Sequence, residues 1–338
     1  MKQFTYKPLL AACMLALGAV AATPALAQFS ERTIRVSNGI NQDHPVGNGV
    51  AKMTQCLTQK SGGKMKLQAF WGGALGGDLQ ATQALRSGTQ EMVITSSSPL
   101  VGILPDLGVF DLPFLFANES EADKILDGAV GDYINSKLPG VNLVNLAWWE
   151  NGFRNLTNSK KPVNKWEDLS GVKVRVMQNN IFLDTFKTLG ANAVPMAFGE
   201  VFTALETKAI DGQENPFVTI DTSKLYEVQK FLSVTRHAYT PFMVLYSKPL
   251  WDRLSKDEQS ALQSCAAEGR DEQRKVSRAL SDKSLANVKS KGMVVNEISQ
   301  AEYKRMLDQV KPVYEKHKAT IGAETIQRMQ DELAKIRK

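Results

Sequence analysis

Histidine and cysteine are scarce, three of each in 338 residues, and their scarcity removes most metal and nucleophile chemistry from consideration. His44, His237 and His317 stand far apart, and none has a second ligand at metal spacing. The chain has no H-E-x-x-H, no G-x-S-x-G and no phosphate loop, and neither Cys56 nor Cys265 sits in a recognisable nucleophile setting. No metal and no cofactor is expected, and an enzyme would have to gather its groups from residues scattered along the chain. Beyond residue 27 no run approaches the ~18 apolar residues that a membrane span requires. A marked charge of one sign is lacking too: 41 basic against 35 acidic residues become 39 against 35 once Lys2 and Lys7 of the leader are set aside. So mild and dispersed an excess does not suggest nucleic acid; it suits a small anionic ligand about as well as none.

What is present begins with an export leader. Lys2 and Lys7 form a positive n-region, Leu9 to Ala22 an apolar core, and Ala25-Leu26-Ala27 a small-x-small cleavage site before Gln28. Leu10-Ala11-Ala12-Cys13 imitates a lipoprotein box, but the apolar run continues past Cys13, which argues against lipid anchoring. The mature chain is expected to be soluble in the periplasm after cleavage behind Ala27. Its length of about 310 residues exceeds one ordinary core, so two domains are expected. Cys56 and Cys265 remain; the compartment permits a disulfide, but two buried free thiols on helices are the favoured expectation.

Along the chain, strands and helices alternate, which indicates an α/β class. Strands are predicted at 33–38, 66–70 and 92–95, with helices from Pro45 to about Lys60 and from Asp78 to Arg86. The glycines of Trp71-Gly72-Gly73-Ala74-Leu75-Gly76-Gly77-Asp78 lack dinucleotide-loop spacing and read as turn geometry. Asp111-Leu112-Pro113-Phe114-Leu115-Phe116 reads as a packed connector. A strand at 143–149 leads out of the first domain. The second domain is predicted to hold strands at 154–157, 172–177, 193–196 and 231–235, an amide-rich loop at 213–215, and helices at 181–189 and 199–208. Tyr239-Thr240-Pro241 marks a crossing back to a strand at 243–247. Ser255-Lys256-Asp257-Glu258 has capping-box spacing and opens a helical pattern reaching about Ser290. Apolar positions mark both ends of that helix while Glu268 to Lys275 is almost wholly polar, the pattern of a helix spanning two domains.

The most informative stretch is central. Lys173 and Arg175 sit at i and i+2 between Val174 and Val176, so a strand puts both basic groups on one face. A charged face on a sheet strand must meet water or border a cavity that holds an anion. Ser96-Ser97-Ser98 falls at the carboxyl end of the third strand, where α/β sheets meet ligands.

The runs Asp-Gly-Gln-Glu-Asn-Pro at 211–216, Pro-Met-Ala-Phe-Gly-Glu-Val-Phe at 195–202 and Gly-Val-Lys-Val-Arg-Val at 171–176 resemble the substrate-binding proteins of TRAP transporters, the DctP family. The likeness extends over nearly the whole mature chain. It implies a two-domain periplasmic clamp of type II character, with crossing strands and a long helix through both domains, closing on an organic acid. Residues 28–151 with about 240–280 would form one domain, and 152–239 with about 281–338 the other. The resemblance makes Arg175 the carboxylate clamp, suited to bidentate contact. It also implies that Asn215 helps to hold the carboxylate, that Arg154 is a second cationic contact and that Phe198 is an apolar wall. From the first domain, Asp78, Ser96 and Ser97 resemble the other jaw, with His44 and Trp149 as weaker candidates. Structural alternatives stand beside three of these: an ion pair for Arg154, core packing for Phe198 and a helix cap for Asp78. The implied partners are a small organic acid and the TRAP membrane permease subunits, with the receptor itself a monomer. The competing expectation is an exported α/β enzyme acting on a small carboxylate, with Asp78 or Glu214 as base. Phe70-Trp71 and Trp148-Trp149 stand where the family tends to smaller or polar groups; were those rings to face the cleft, a larger or aromatic acid would fit.

Overall fold

The structure is a computed structural model that describes residues 1–5 and 29–338; the leader's apolar core and its cleavage site lie outside them. Its nine strands are β1 (Arg32–Asn38), β2 (Met65–Phe70), β3 (Met92–Ser96), β4 (Leu143–Asn158), β5 (Lys173–Val176), β6 (Asn192–Pro195), β7 (Gly212–Asn215), β8 (Phe231–Ser247) and β9 (Val294–Glu297). They form one sheet in the order β2-β1-β3-β8-β4-β7-β5-β6, with β9 beside β8. β1, β2 and β3 are parallel, as are β5, β6 and β7, and each set is fed by helices returning over the sheet.

Between the two sets lie β4 and β8, antiparallel to each other over almost their whole length. Each was expected as two separate strands, at 143–149 and 154–157 and at 231–235 and 243–247. The backbone bends instead of stopping: the β4–β8 register shifts between Glu150 and Gly152, where Gly152 has φ +115°, and Arg236 of β8 turns at φ 41°. Gln213–Asn215, expected as a loop, is strand β7, paired with β4. Local polarity misled there, because a strand ending in a cleft places amides where a core strand places valines.

The predicted 35-residue helix is present from Lys256 to Ser290, opened by the Ser255–Glu258 capping box. Its first part packs on the helix Pro45–Lys60, its last on the helix Phe217–Thr222. The first contact is close because Gly49 and Gly269 clasp the indole of Trp149: a Cβ on either would come within 2.7 Å of the ring. Here Cys56 and Cys265 form a disulfide, with their Cα atoms 5.5 Å apart. The expectation of free thiols is thereby corrected; spacing along the chain gave no sign that two helices 209 residues apart would lie side by side. One apolar core, including Val36, Val50, Met53, Trp149 and Leu262, serves the first half of the sheet, and another, including Val201, Ile220, Leu232 and Val288, serves the second. A third runs behind both halves, joining Leu107, Phe110 and Trp148 to Val174, Phe182 and Val313. The C-terminal helix Ala323–Ile336 belongs to it and lies against Glu119–Leu126 and Ala129–Lys137, segments of the first half. Among the described residues no helix is long and apolar enough to cross a membrane.

Candidate functional site

The two parallel strand sets point their carboxyl ends at each other, and a small cavity of about 30 Å³ lies between them. Asn38 ends β1, Ser96 ends β3, Asn215 ends β7, and Arg175 is the penultimate residue of β5, so four strand ends supply its polar lining. Asp78 enters from the N-terminus of the helix Asp78–Arg86, Thr219 from the helix Phe217–Thr222, and Asn151 and Arg154 from the bend of β4. Phe198, Phe242, Met177, Ile40 and Ile94 complete the wall.

Arg175 is 2 % exposed, on a strand whose Lys173 reaches solvent while Val174 and Val176 are buried. Its Nε and Nη2 both donate to the Met196 carbonyl, at 2.9 and 2.7 Å, and Nη1 has no partner. The Met196 carbonyl therefore aims the guanidinium and leaves one nitrogen without a protein partner at the cavity. Burial lowers the guanidinium to about 10, against the opposing pull of the Glu214 carboxylate. The Phe198 ring lies 6.0 Å from Arg175 Cζ.

Arg154 borders the same cavity, but its charge is spent on the protein. Its Nε meets Glu214 Oε2, and its Nη2 donates to Glu214 Oε1, the Glu214 carbonyl and Asn215 Oδ1 at 3.0, 2.6 and 3.0 Å. His237 Nε2 stands 3.1 Å from the same carboxylate, and Thr240 Oγ1 accepts from Arg154 Nη1 at 3.3 Å. Burial pushes the Glu214 carboxyl up, but Arg154 and His237 outweigh it and hold it below its ordinary value. Asn215 is fixed in turn, since its Nδ2 donates to Gln213 Oε1 at 2.5 Å while its Oδ1 serves Arg154.

On the facing wall Asp78 is partly buried, and burial raises its carboxyl against the Thr95 hydroxyl and the charge of Arg175. Gly39 lies against it: a Cβ there would stand 3.1 Å from Asp78 Oδ1. Ser96 Oγ and Asn151 Oδ1 are buried without partners, and both residues line the cavity. Buried polar atoms without a protein partner at a cavity are places where the hydrogen bonds of water or of a ligand can end.

Arg175, Arg154, Asn215, Phe198, Asp78 and Ser96 are thus brought together. Ser97, His44 and Trp149 do not border the cavity. Ser97 is buried just past the end of β3. His44 caps the helix Pro45–Lys60 through Nδ1, and burial lowers its imidazole to about 3, so it is neutral; its Nε2 lies 3.3 Å from Thr219 Oγ1. Trp149 is fully buried and donates from Nε1 to the Ala266 carbonyl at 3.0 Å. Trp148 packs edge-on against Phe110, and Phe70 and Trp71 lie outside the cavity lining, so the aromatic residues that departed from the family pattern do not widen it. The residues missed are Asn38, Asn151, Thr219 and Phe242. Asn151 had a signal, a polar residue beside glycine in an apolar strand; the others needed the fold. Among the described residues no group of His, Cys, Asp and Glu is placed to hold a metal.

A family model described as bacterial extracellular solute-binding protein, family 7 (DctP), matches residues 36–320. The chain superposes on the sugar acid binding protein of Advenella mimigardefordensis, solved with galactonate, with a TM-score of 0.89 and 45 % identity, covering 91 % of this chain and 99 % of that one. A TRAP periplasmic solute-binding protein of Polaromonas, solved with D-erythronate, is 35 % identical with a TM-score of 0.85, covering 89 % and 98 %. The 2,3-diketo-L-gulonate-binding periplasmic protein YiaO of Escherichia coli is 40 % identical over 244 residues, 72 % of this chain and 74 % of that protein.

Proposed function

We infer that this chain, which belongs to the DctP family of bacterial extracellular solute-binding proteins, receives an organic acid between its two lobes and hands it to the membrane permease of a TRAP-type transporter. The protein is a binding protein and not an enzyme, as its family and relatives are. Glu214, one of the two candidate bases, is held ionised and fully paired by Arg154 and His237. Export to the periplasm and action as a monomer complete the reading.

The ligand class follows from a count of charges in the cavity. One guanidinium, Arg175, has an unpartnered nitrogen; the other, Arg154, is matched by Glu214; and the facing wall bears a carboxyl, Asp78. A single carboxylate can be neutralised at Arg175, and a second at the far end would meet Asp78 in a space with no spare cation. Hydroxyl groups suit that end, with Asp78, Ser96 Oγ and Asn151 Oδ1 to receive them. The ligand is therefore a polyhydroxy monocarboxylate, a class to which the galactonate and D-erythronate of the two structural relatives belong. Arg175 clamps the carboxylate beside Asn215, Arg154 orients Asn215, and Phe198 and Phe242 cover the carbon chain.

Thermal-shift measurement with D-galactonate, D-erythronate and succinate tests the count. Ligand at a hundredfold excess over Kd stabilises the folded state by about 2.7 kcal/mol, so a rise of several degrees is expected from at least one sugar acid and none from succinate. A larger shift with succinate would overturn the charge count. Mass spectrometry after prolonged incubation should return the ligand unchanged.

A further inference from the structure

The polar waist of the long helix, Glu268 to Lys275, was read as the mark of a helix spanning two domains; Asp271 and Lys275 in it reach solvent, but Gly269, Gln273 and Arg274 are buried. Gln273 within it has no exposed surface. Its Oε1 accepts from the Glu150 amide at 2.9 Å and its Nε2 donates to the Glu150 carbonyl at 2.7 Å, so one side chain takes both backbone groups of one residue. The next residue, Arg274, donates from Nη2 to the Trp148 carbonyl at 2.9 Å.

These bonds have a topological cause. Glu150 stands opposite Pro241 of β8, whose carbonyl turns toward β3 and accepts from the Ser97 amide at 3.2 Å. In an antiparallel ladder such a pair directs the polar groups of its other member outward, away from β8. On that outer edge of β4 the next strand, β7, begins only opposite Asn155. Trp148 to Asn151 therefore has no strand beside it, and unpaired backbone groups in a buried place cost about 1–3 kcal/mol each. The helix substitutes for the missing strand. The stretch so held ends in the register shift at Glu150 and Gly152 and includes Asn151, whose orphaned Oδ1 lies at the cavity.

We propose that Gln273 is a positioning residue for ligand binding: by occupying both backbone groups of Glu150 it fixes the bend of β4 and so aims Asn151 into the cavity. The inference rests on that cavity being the ligand site. Gln273 touches no ligand, and its effect passes through Asn151.

The test uses the full mature chain with Gln273→Met, which keeps length and volume and removes both bonds, together with Asn151→Ala and the double variant. Without ligand, hydrogen exchange at the Glu150 amide should quicken at least about tenfold in Gln273→Met, as expected for a lost hydrogen bond. Titration with D-galactonate should show affinity reduced by about tenfold, and by no more than about twofold further when Gln273→Met is added to Asn151→Ala, because coupled residues are not additive. An unchanged affinity, an unchanged exchange rate, or a loss that adds in full to that of Asn151→Ala each overturns the proposal. Gln273→Asn, which keeps both polar groups on a stem one methylene too short to reach Glu150, should show the same losses, and it replaces Gln273→Met if the latter does not melt cooperatively. Should wild type ignore D-galactonate, the ligand class above fails, while exchange at Glu150 still decides whether Gln273 holds the bend.

Discussion

Replacing Arg175 separates what the guanidinium does for the ligand from what it does for the fold. Without ligand the side chain is a liability: it is 2 % exposed, burial lowers its affinity for its own proton, and Nη1 is without a protein partner. A buried unsatisfied donor costs about 1–3 kcal/mol, and a charged one stands at the upper end. Arg175→Met removes that cost but strips the Met196 carbonyl of both its donors, a loss of about 1 kcal/mol. The net gain is about 2 kcal/mol, or roughly 3 °C in Tm for a chain of this size. Ligand-free Arg175→Met should therefore melt no lower than wild type and bind no acid. Arg175→Lys keeps the charge, but an ammonium cannot chelate Met196 and present a second edge to a carboxylate at once. Truncating one member of a buried charge pair costs about 2–5 kcal/mol; Arg175→Lys falls toward the lower part, roughly ten- to hundredfold in affinity, and Arg175→Ala reaches the upper part. Calorimetry with the best acid of the thermal-shift panel, alongside melting curves without ligand, measures both quantities. If Arg175→Lys binds as tightly as wild type while folded, Arg175 is not the carboxylate clamp, and the charge count built on it fails.

Arg154→Met should do the opposite, lowering stability in urea denaturation by about 3–5 kcal/mol because it leaves Glu214 buried and unpaired; an unchanged midpoint would show that His237 alone suffices. Alkylation under denaturing, non-reducing conditions should leave Cys56 and Cys265 unlabelled until reductant is added, and Cys56→Ala/Cys265→Ala should cost about 2–4 kcal/mol. Two buried groups give opposite pH trends. For His44, lowered to about 3 by burial, the unfolded chain binds the extra proton below its ordinary value of 6.5, so stability falls as pH drops from 6.5 toward 3. For Asp111, raised to about 7 by burial despite bonds from Ser98 and Asn179, the folded state keeps a proton that the unfolded chain releases, so stability falls as pH rises from 3.8 toward 7. Asp111→Asn should accordingly gain on wild type across the second window, and His44→Asn across the first, in melting temperatures at stepped pH. Parallel curves for variant and wild type would refute either assignment.

The sequence disclosed most where a local rule sufficed. The capping box at Ser255, the proline opening the helix at Pro45 and the alternation around Arg175 each act within one element, and each is found within a residue or so of its expected place. Legibility failed where the deciding partner was remote. Glu214 was a candidate base until Arg154, 60 residues away, was seen to bond it, and His44 a candidate contact until it proved to cap its own helix. Cys56 was read as a free thiol because its partner is 209 residues on. β4 and β8 were each read as two strands because the bends at Gly152 and Arg236 separate runs that look, in one dimension, like independent strands. Gln273 was read only as part of a polar waist because it satisfies backbone, and backbone leaves no trace in composition.

β3 pairs with β8 across some 150 residues of intervening chain, Met92 opposite Tyr246, and the helix bonded to Cys56 follows later still. Neither lobe is a contiguous stretch of sequence, so neither can complete its sheet while the polypeptide is only partly synthesised. Contacts so distant make for slow collapse into the final topology. Until residue 247 has been made, β3 and β4 lack the central strand that joins them. The pairing that joins the two halves of the sheet is thus deferred until about three quarters of the chain has been made.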